Sequence, residues 1–113
     1  MINTDEKVSG IIERGCSFEG NLSFSGILRI AGEFTGKIFT NDTLVLSDEA
    51  IVNADIYAGV VIISGKFKGT VKATSRVEIK RPAKFEGSII SPSLLVEEGV
   101  IFKGETKVDD IRQ

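Results

Sequence analysis

The chain has 113 residues, 42% of them apolar, and a formal charge of −2, which suits one domain with its own core and offers no basic field for nucleic acid. It contains no histidine; without imidazole, the usual general base and commonest metal ligand, many hydrolytic, acyl-transfer and zinc mechanisms lose their main group. Plentiful Ile, Val, Phe and Thr, punctuated by twelve glycines, make a β composition.

Residues 1–7 read as a short polar tail without a signal-peptide core, and no stretch reaches the roughly 18 apolar residues that span a bilayer. A cytoplasmic protein is expected. Alternation begins between Val8 and Ile12. Cys16, the lone cysteine, has no internal disulfide partner and fits a reducing compartment. Its register equivalents, defined below, are Gly32, Ala50, Gly65, Ala83 and Val100, so it is expected to be a buried small hydrophobe.

From Phe18 a five-residue phrase of apolar, any, small, any, apolar recurs six times: FEGNL at Phe18, FTGKI at Phe34, VNADI at Val52, FKGTV at Phe67, FEGSI at Phe85 and FKGET at Phe102. The lead residues are 16, 18, 15, 18 and 17 positions apart. Turn chemistry follows most copies, at Ser25-Gly26, Asn41-Asp42, Ala58-Gly59, Thr74-Ser75 and Pro92-Ser93. An apolar strand then resumes at Leu28/Ile30, Leu44/Leu46, Val61/Ile63, Val77/Ile79 and Leu94/Val96. The uneven spacing comes from the return corner. Ile30 and Ile63 reach the next lead residue in four steps, whereas Ile12, Leu46, Ile79 and Val96 need six.

Strands this short cannot bury a core as isolated hairpins. Stacked as coils, each covers the next. The expected fold is all-β: a right-handed, three-sided parallel β-helix of about six windings over residues 8–108, on the order of 30 Å long at ~4.8 Å per coil, with a short polar tail at 109–113. Stacking also predicts outward ladders. Glu19, Thr35, Asn53, Lys68, Glu86 and Lys103 form one; Asn21, Lys37, Asp55, Thr70, Ser88 and Glu105 form another. Neither places like charges side by side, as strand spacing requires.

Chemical readings are weak beside this pattern. Gly65 to Thr70 lacks the glycine spacing and the Lys-Ser/Thr of a phosphate loop. A hexapeptide-repeat acyltransferase is also a β-helix, but the step-six run of Ile38, Leu44, Ala50, Ile56 and Ile62 breaks at Lys68. The acidic pairs Asp48-Glu49, Glu97-Glu98 and Asp109-Asp110 lack calcium-loop spacing. Phe39 and Tyr57 are expected outward as a small adhesive patch, extended by Val60 and Ile62 if their strand faces the same way. No catalytic, cofactor-binding or metal-binding residue is assigned, and no enzyme activity or cofactor is expected.

The ends are more informative. Apolar register continues into the first and last coils, and an uncovered β-stack is a template for another. The expected polymer interface is Ile11, Ile12 and Phe18 at the N-terminal end. At the C-terminal end it is Val100, Ile101, Phe102 and Val108.

The phrases SFEGNLSFSGILRIAGEFTGKI and LLVEEGVIFKGE, with their Phe-x-Gly register, resemble the bactofilin family over residues 8–108. The resemblance implies bacterial cytoskeletal filaments that form without nucleotide through head-to-head and tail-to-tail contacts. Phe102 matches a phenylalanine important for polymerisation. It also implies a homopolymer that scaffolds peptidoglycan-remodelling enzymes or their membrane regulators, often at the inner face of the cytoplasmic membrane. The apolar N-terminal stretch that some members use for membrane attachment is reduced here to Met1-Ile2, which gives membrane association little support. The alternative is a non-polymerising β-solenoid adaptor that presents a face to protein or polysaccharide partners.

Overall fold

The computed structural model describes residues 8–108, with side chains described for 12–107. Ten strands and no helix appear among them: β1 (Val8–Ile12), β2 (Ser17–Phe24), β3 (Ile27–Ile30), β4 (Glu33–Thr40), β5 (Thr43–Leu46), β6 (Ile51–Ile63), β7 (Lys66–Ile79), β8 (Lys84–Ser91), β9 (Leu94–Val96) and β10 (Ile101–Val108). Every pairing is parallel, and each strand pairs with its counterpart one coil away. The chain is a parallel β-solenoid. From Phe18 to Phe102 it completes five turns, so that the lead register has six rungs.

The repeat read from the sequence is the pairing register. Phe18, Phe34, Val52, Phe67, Phe85 and Phe102 align strand to strand, and Gly20, Gly36, Ala54, Gly69, Gly87 and Gly104 align two residues later. All these glycines take a φ near +140°, where only glycine is at ease. That register, held by Ala54 without a positive φ in β6, divides each long strand between a first face, which carries the lead residue, and a second face. The column β1, β3, β5, residues 60–63, residues 76–79 and β9 forms the third face.

The core is a set of side-chain columns along the axis. Ile30, Leu46, Ile63 and Ile79 are completely buried in one of them. Phe85, 1% exposed, stacks its ring between Phe67 at 5.1 Å and Phe102 at 5.0 Å. Such rings contribute through both burial and offset stacking. Phe85→Ala is therefore expected to cost about 3–5 kcal/mol, read by urea unfolding. Phe18→Ala should cost clearly less, because Phe18 is already 40% exposed.

Corners absorb the spacing differences. The six-step returns are hydrogen-bonded turns in which the amides of Cys16, Ala50, Ala83 and Val100 donate to the carbonyls of Glu13, Ser47, Lys80 and Glu97. The four-step returns bond from coil to coil, as when Ser64 N donates to Leu46 O at 2.9 Å. Gly65 sits in such a corner because a β-carbon there would lie 2.5 Å from the Ser47 carbonyl oxygen. Two expected turns are not interruptions. Ala58-Gly59 lies within β6 and Thr74-Ser75 within β7. The register passes from Ala58↔Ala73 to Val60↔Arg76, so a bulge turns the corner without breaking the strands.

The expectation for Cys16 is overturned: it is exposed. Gly32, its equivalent one coil later, is buried against the carbonyls of Glu13 and Cys16. Burial at this register comes from the preceding coil, and none of the described residues supplies one beneath Cys16.

Candidate assembly interface

Both ends of the solenoid present strand edges and core side chains together. Among the described residues β1 pairs only with β3 and β2 only with β4, while β9 pairs only with β7 and β10 only with β8. Each end therefore carries backbone donors and acceptors that interior coils satisfy with neighbours on both sides.

The core columns run on into these ends. Phe34, Val52, Phe67 and Phe85 are at most 2% exposed, yet Phe18 in the same column reaches 40%. Phe18 stacks on Phe34 at 5.3 Å, and Ile12, Leu22 and Phe24 are half-buried at the same end. At the opposite end Phe102 lies flat on Phe85, 7° from parallel, with Leu94 and Val100 half-buried beside it. Val96, in register with the fully buried Ile79, is 43% exposed. It belongs to this end slice although its exposure could not be read from the repeat.

The interface residues expected from sequence fall into three groups. Ile12 and Phe18, like Val100 and Phe102, lie in the two end slices. Ile101 does not share their column: it pairs with Lys84 on the outside of the first face and is 50% exposed. For Ile11 and Val108 only the backbone register is described, opposite Arg29 and Ser91; their side chains lie outside the described residues.

Other surface features are laterally placed. Phe39, exposed, stacks on half-buried Tyr57 at 5.3 Å on the second face. Val60 and Ile62 pair with β5 on the third face and so do not extend that patch. The corners at Asp48-Glu49 and Glu97-Glu98 are exposed, and Glu49 is bridged to Arg14 at 2.9 Å. Asp109-Asp110 lies outside the described residues. Gly65 is a corner residue and Lys66 to Thr70 run along β7 as in any other coil, with Phe67 and Val71 buried.

Among the described residues the β-solenoid ends in an apolar slice and a strand edge paired on one side at each end, the arrangement of a structural, stacking kind of repeat protein. The chain belongs to the bactofilin family, described as polymer-forming cytoskeletal, whose model matches residues 10–107. This is a structural family and not an enzyme family. Among curated proteins the chain is similar to bactofilin BacO of Myxococcus xanthus, at 31% identity over 99 residues that cover 88% of this chain and 79% of BacO. It is also similar to bactofilin BacP of the same organism, at 27% identity over 92 residues, 81% of this chain but 38% of BacP. No solved structure matches. No helix among the described residues is long and apolar enough to cross a membrane.

Proposed function

We propose that this chain polymerises end to end by bringing its exposed core slices together, without nucleotide, and that the filament scaffolds cell-shape or cell-wall enzymes in the cytoplasm. The observation that carries the reading is the phenylalanine column, buried throughout the interior and open at Phe18. Joining two ends would remove apolar surface from water at about 25 cal/mol per Å² and let the edge strands pair. Membership of a polymer-forming family supports self-association. A filament repeats each lateral face at every subunit, so weak clients could be held by avidity.

Purified protein in nucleotide-free buffer tests this by sedimentation over a range of concentration and salt. Large pelletable species are expected above a threshold concentration, and they should persist at high salt because the joint is apolar. A species that stays monomeric or dimeric at every concentration would favour the adaptor reading instead.

A further inference from the structure

The first face is electrically divided along the solenoid axis. Its outward side chains form two ladders in strand register: Ser17, Glu33, Ile51, Lys66, Lys84, Ile101, and Glu19, Thr35, Asn53, Lys68, Glu86, Lys103. The first two rungs hold Glu19 and Glu33, a charge of −2. The last three hold four lysines and Glu86, so 4 − 1 gives +3. Lys66 and Lys84 are direct register neighbours, and like charges stacked at strand spacing destabilise a sheet. Among the described residues neither lysine has an ion-pair partner. Beside them Ile51 and Ile101 are 48% and 50% exposed, and all four residues line one shallow groove.

We propose that this face pairs with the same face of a second copy, antiparallel, about a two-fold axis that crosses between the third and fourth rungs. Turning one copy end for end sets each rung opposite its complement. Glu33 meets Lys84, Glu19 meets Lys103, and Ile51 packs along the aliphatic stem of Lys66, each contact made twice as two-fold symmetry requires. A parallel arrangement reverses strand direction between the copies and sets Lys66 against Lys68. An acidic peptide would satisfy the lysines but has no use for Glu19 and Glu33 on the same face. The complement of the basic half is already present in the chain.

Six rungs by three residues is an area on the order of 25 × 10 Å, well under the ~800 Å² per partner of a stable interface. One pair of faces is weak. Copies aligned in filaments would add such contacts along their length. The pairing does not rest on the end joint, since the face is complete within one chain.

The test is zero-length carbodiimide coupling of the full chain at low ionic strength, followed by peptide mass spectrometry. Within one copy Glu33 and Lys84 are three strand spacings apart, about 14 Å, too far for a direct amide bond. A Glu33–Lys84 link therefore joins two copies. It is expected in the wild type, and it should be lost in Glu33→Lys or Lys84→Glu and regained between the same positions in the double variant. It should also fade in about 1 M salt, where the Debye length is about 3 Å. The same link is expected in a Phe102→Arg chain, so failure of the end joint is read separately. The proposal is overturned if folded wild-type protein yields no such link, if the double variant does not restore it, or if the basic half binds poly-glutamate while copies stay unlinked.

Discussion

Gly87→Ala is expected to prevent stable folding, with a loss well beyond an ordinary surface substitution. Gly87 takes a φ of 138°, and an alanine held there costs about 1–3 kcal/mol in backbone strain. The larger cost is steric. A β-carbon on Gly87 would overlap the carbonyl oxygen of Gly69 in the coil before it, and the same holds for Gly36 over Gly20 and Gly104 over Gly87. Relief requires the coils to separate, which stretches the ladder hydrogen bonds on both sides. Gly20→Ala provides the control. Its φ is 140°, so the strain is similar, but the nearest atom to its β-carbon is a Phe18 ring carbon at 3.8 Å. Gly20→Ala should fold with a modest fall in melting temperature, while Gly87→Ala should be insoluble or melt far lower. Ala54 fills the same register without a positive φ, so equal melting temperatures for the two variants would show that coil-to-coil contact is not what keeps glycine at position 87.

That contrast also marks what a sequence of this kind can reveal. The Phe-x-Gly phrase disclosed the strand register because stacking imposes the same environment at the same place in every coil. The interior columns, the outward ladder from Glu19 to Lys103 and the long and short corners all followed from it. Equivalence within the repeat does not extend to positions whose neighbours differ. Cys16 has buried equivalents but no described coil beneath it, so it is exposed. Val96 has buried equivalents but lies in the last rung of its column. Lys66 and Lys84 are like-charged register neighbours one residue before the lead position, a departure from the charge spacing that the ladders from Glu19 and Asn21 keep. Ile101 differs from most of its register equivalents, Ser17, Glu33, Lys66 and Lys84, but that contrast does not say whether an apolar residue faces the end of the rod or its side. Backbone pairing with Lys84 decides for the side.

Phe102→Arg should abolish long filaments while leaving the solenoid folded, and the size of what remains reports how the ends are matched. Phe102 is half-buried, with one ring face on Phe85, so an arginine there is expected to extend into solvent in the free chain. In the joint the same side chain would be an unpaired buried charge, costing several kcal/mol, and the roughly 1.5–3 kcal/mol from burying the phenylalanine would be lost. Ends of the same kind, as the family resemblance implies, leave the Phe18 end competent. The variant should then stop at dimers joined through Ile12 and Phe18, and adding Phe18→Arg should give monomers. Head-to-tail joining consumes one end of each kind at every contact, so Phe102→Arg alone would stop at monomers. Sedimentation velocity distinguishes the two. Persistence of full-length filaments by electron microscopy in folded Phe102→Arg protein would remove Phe102 from the joint altogether.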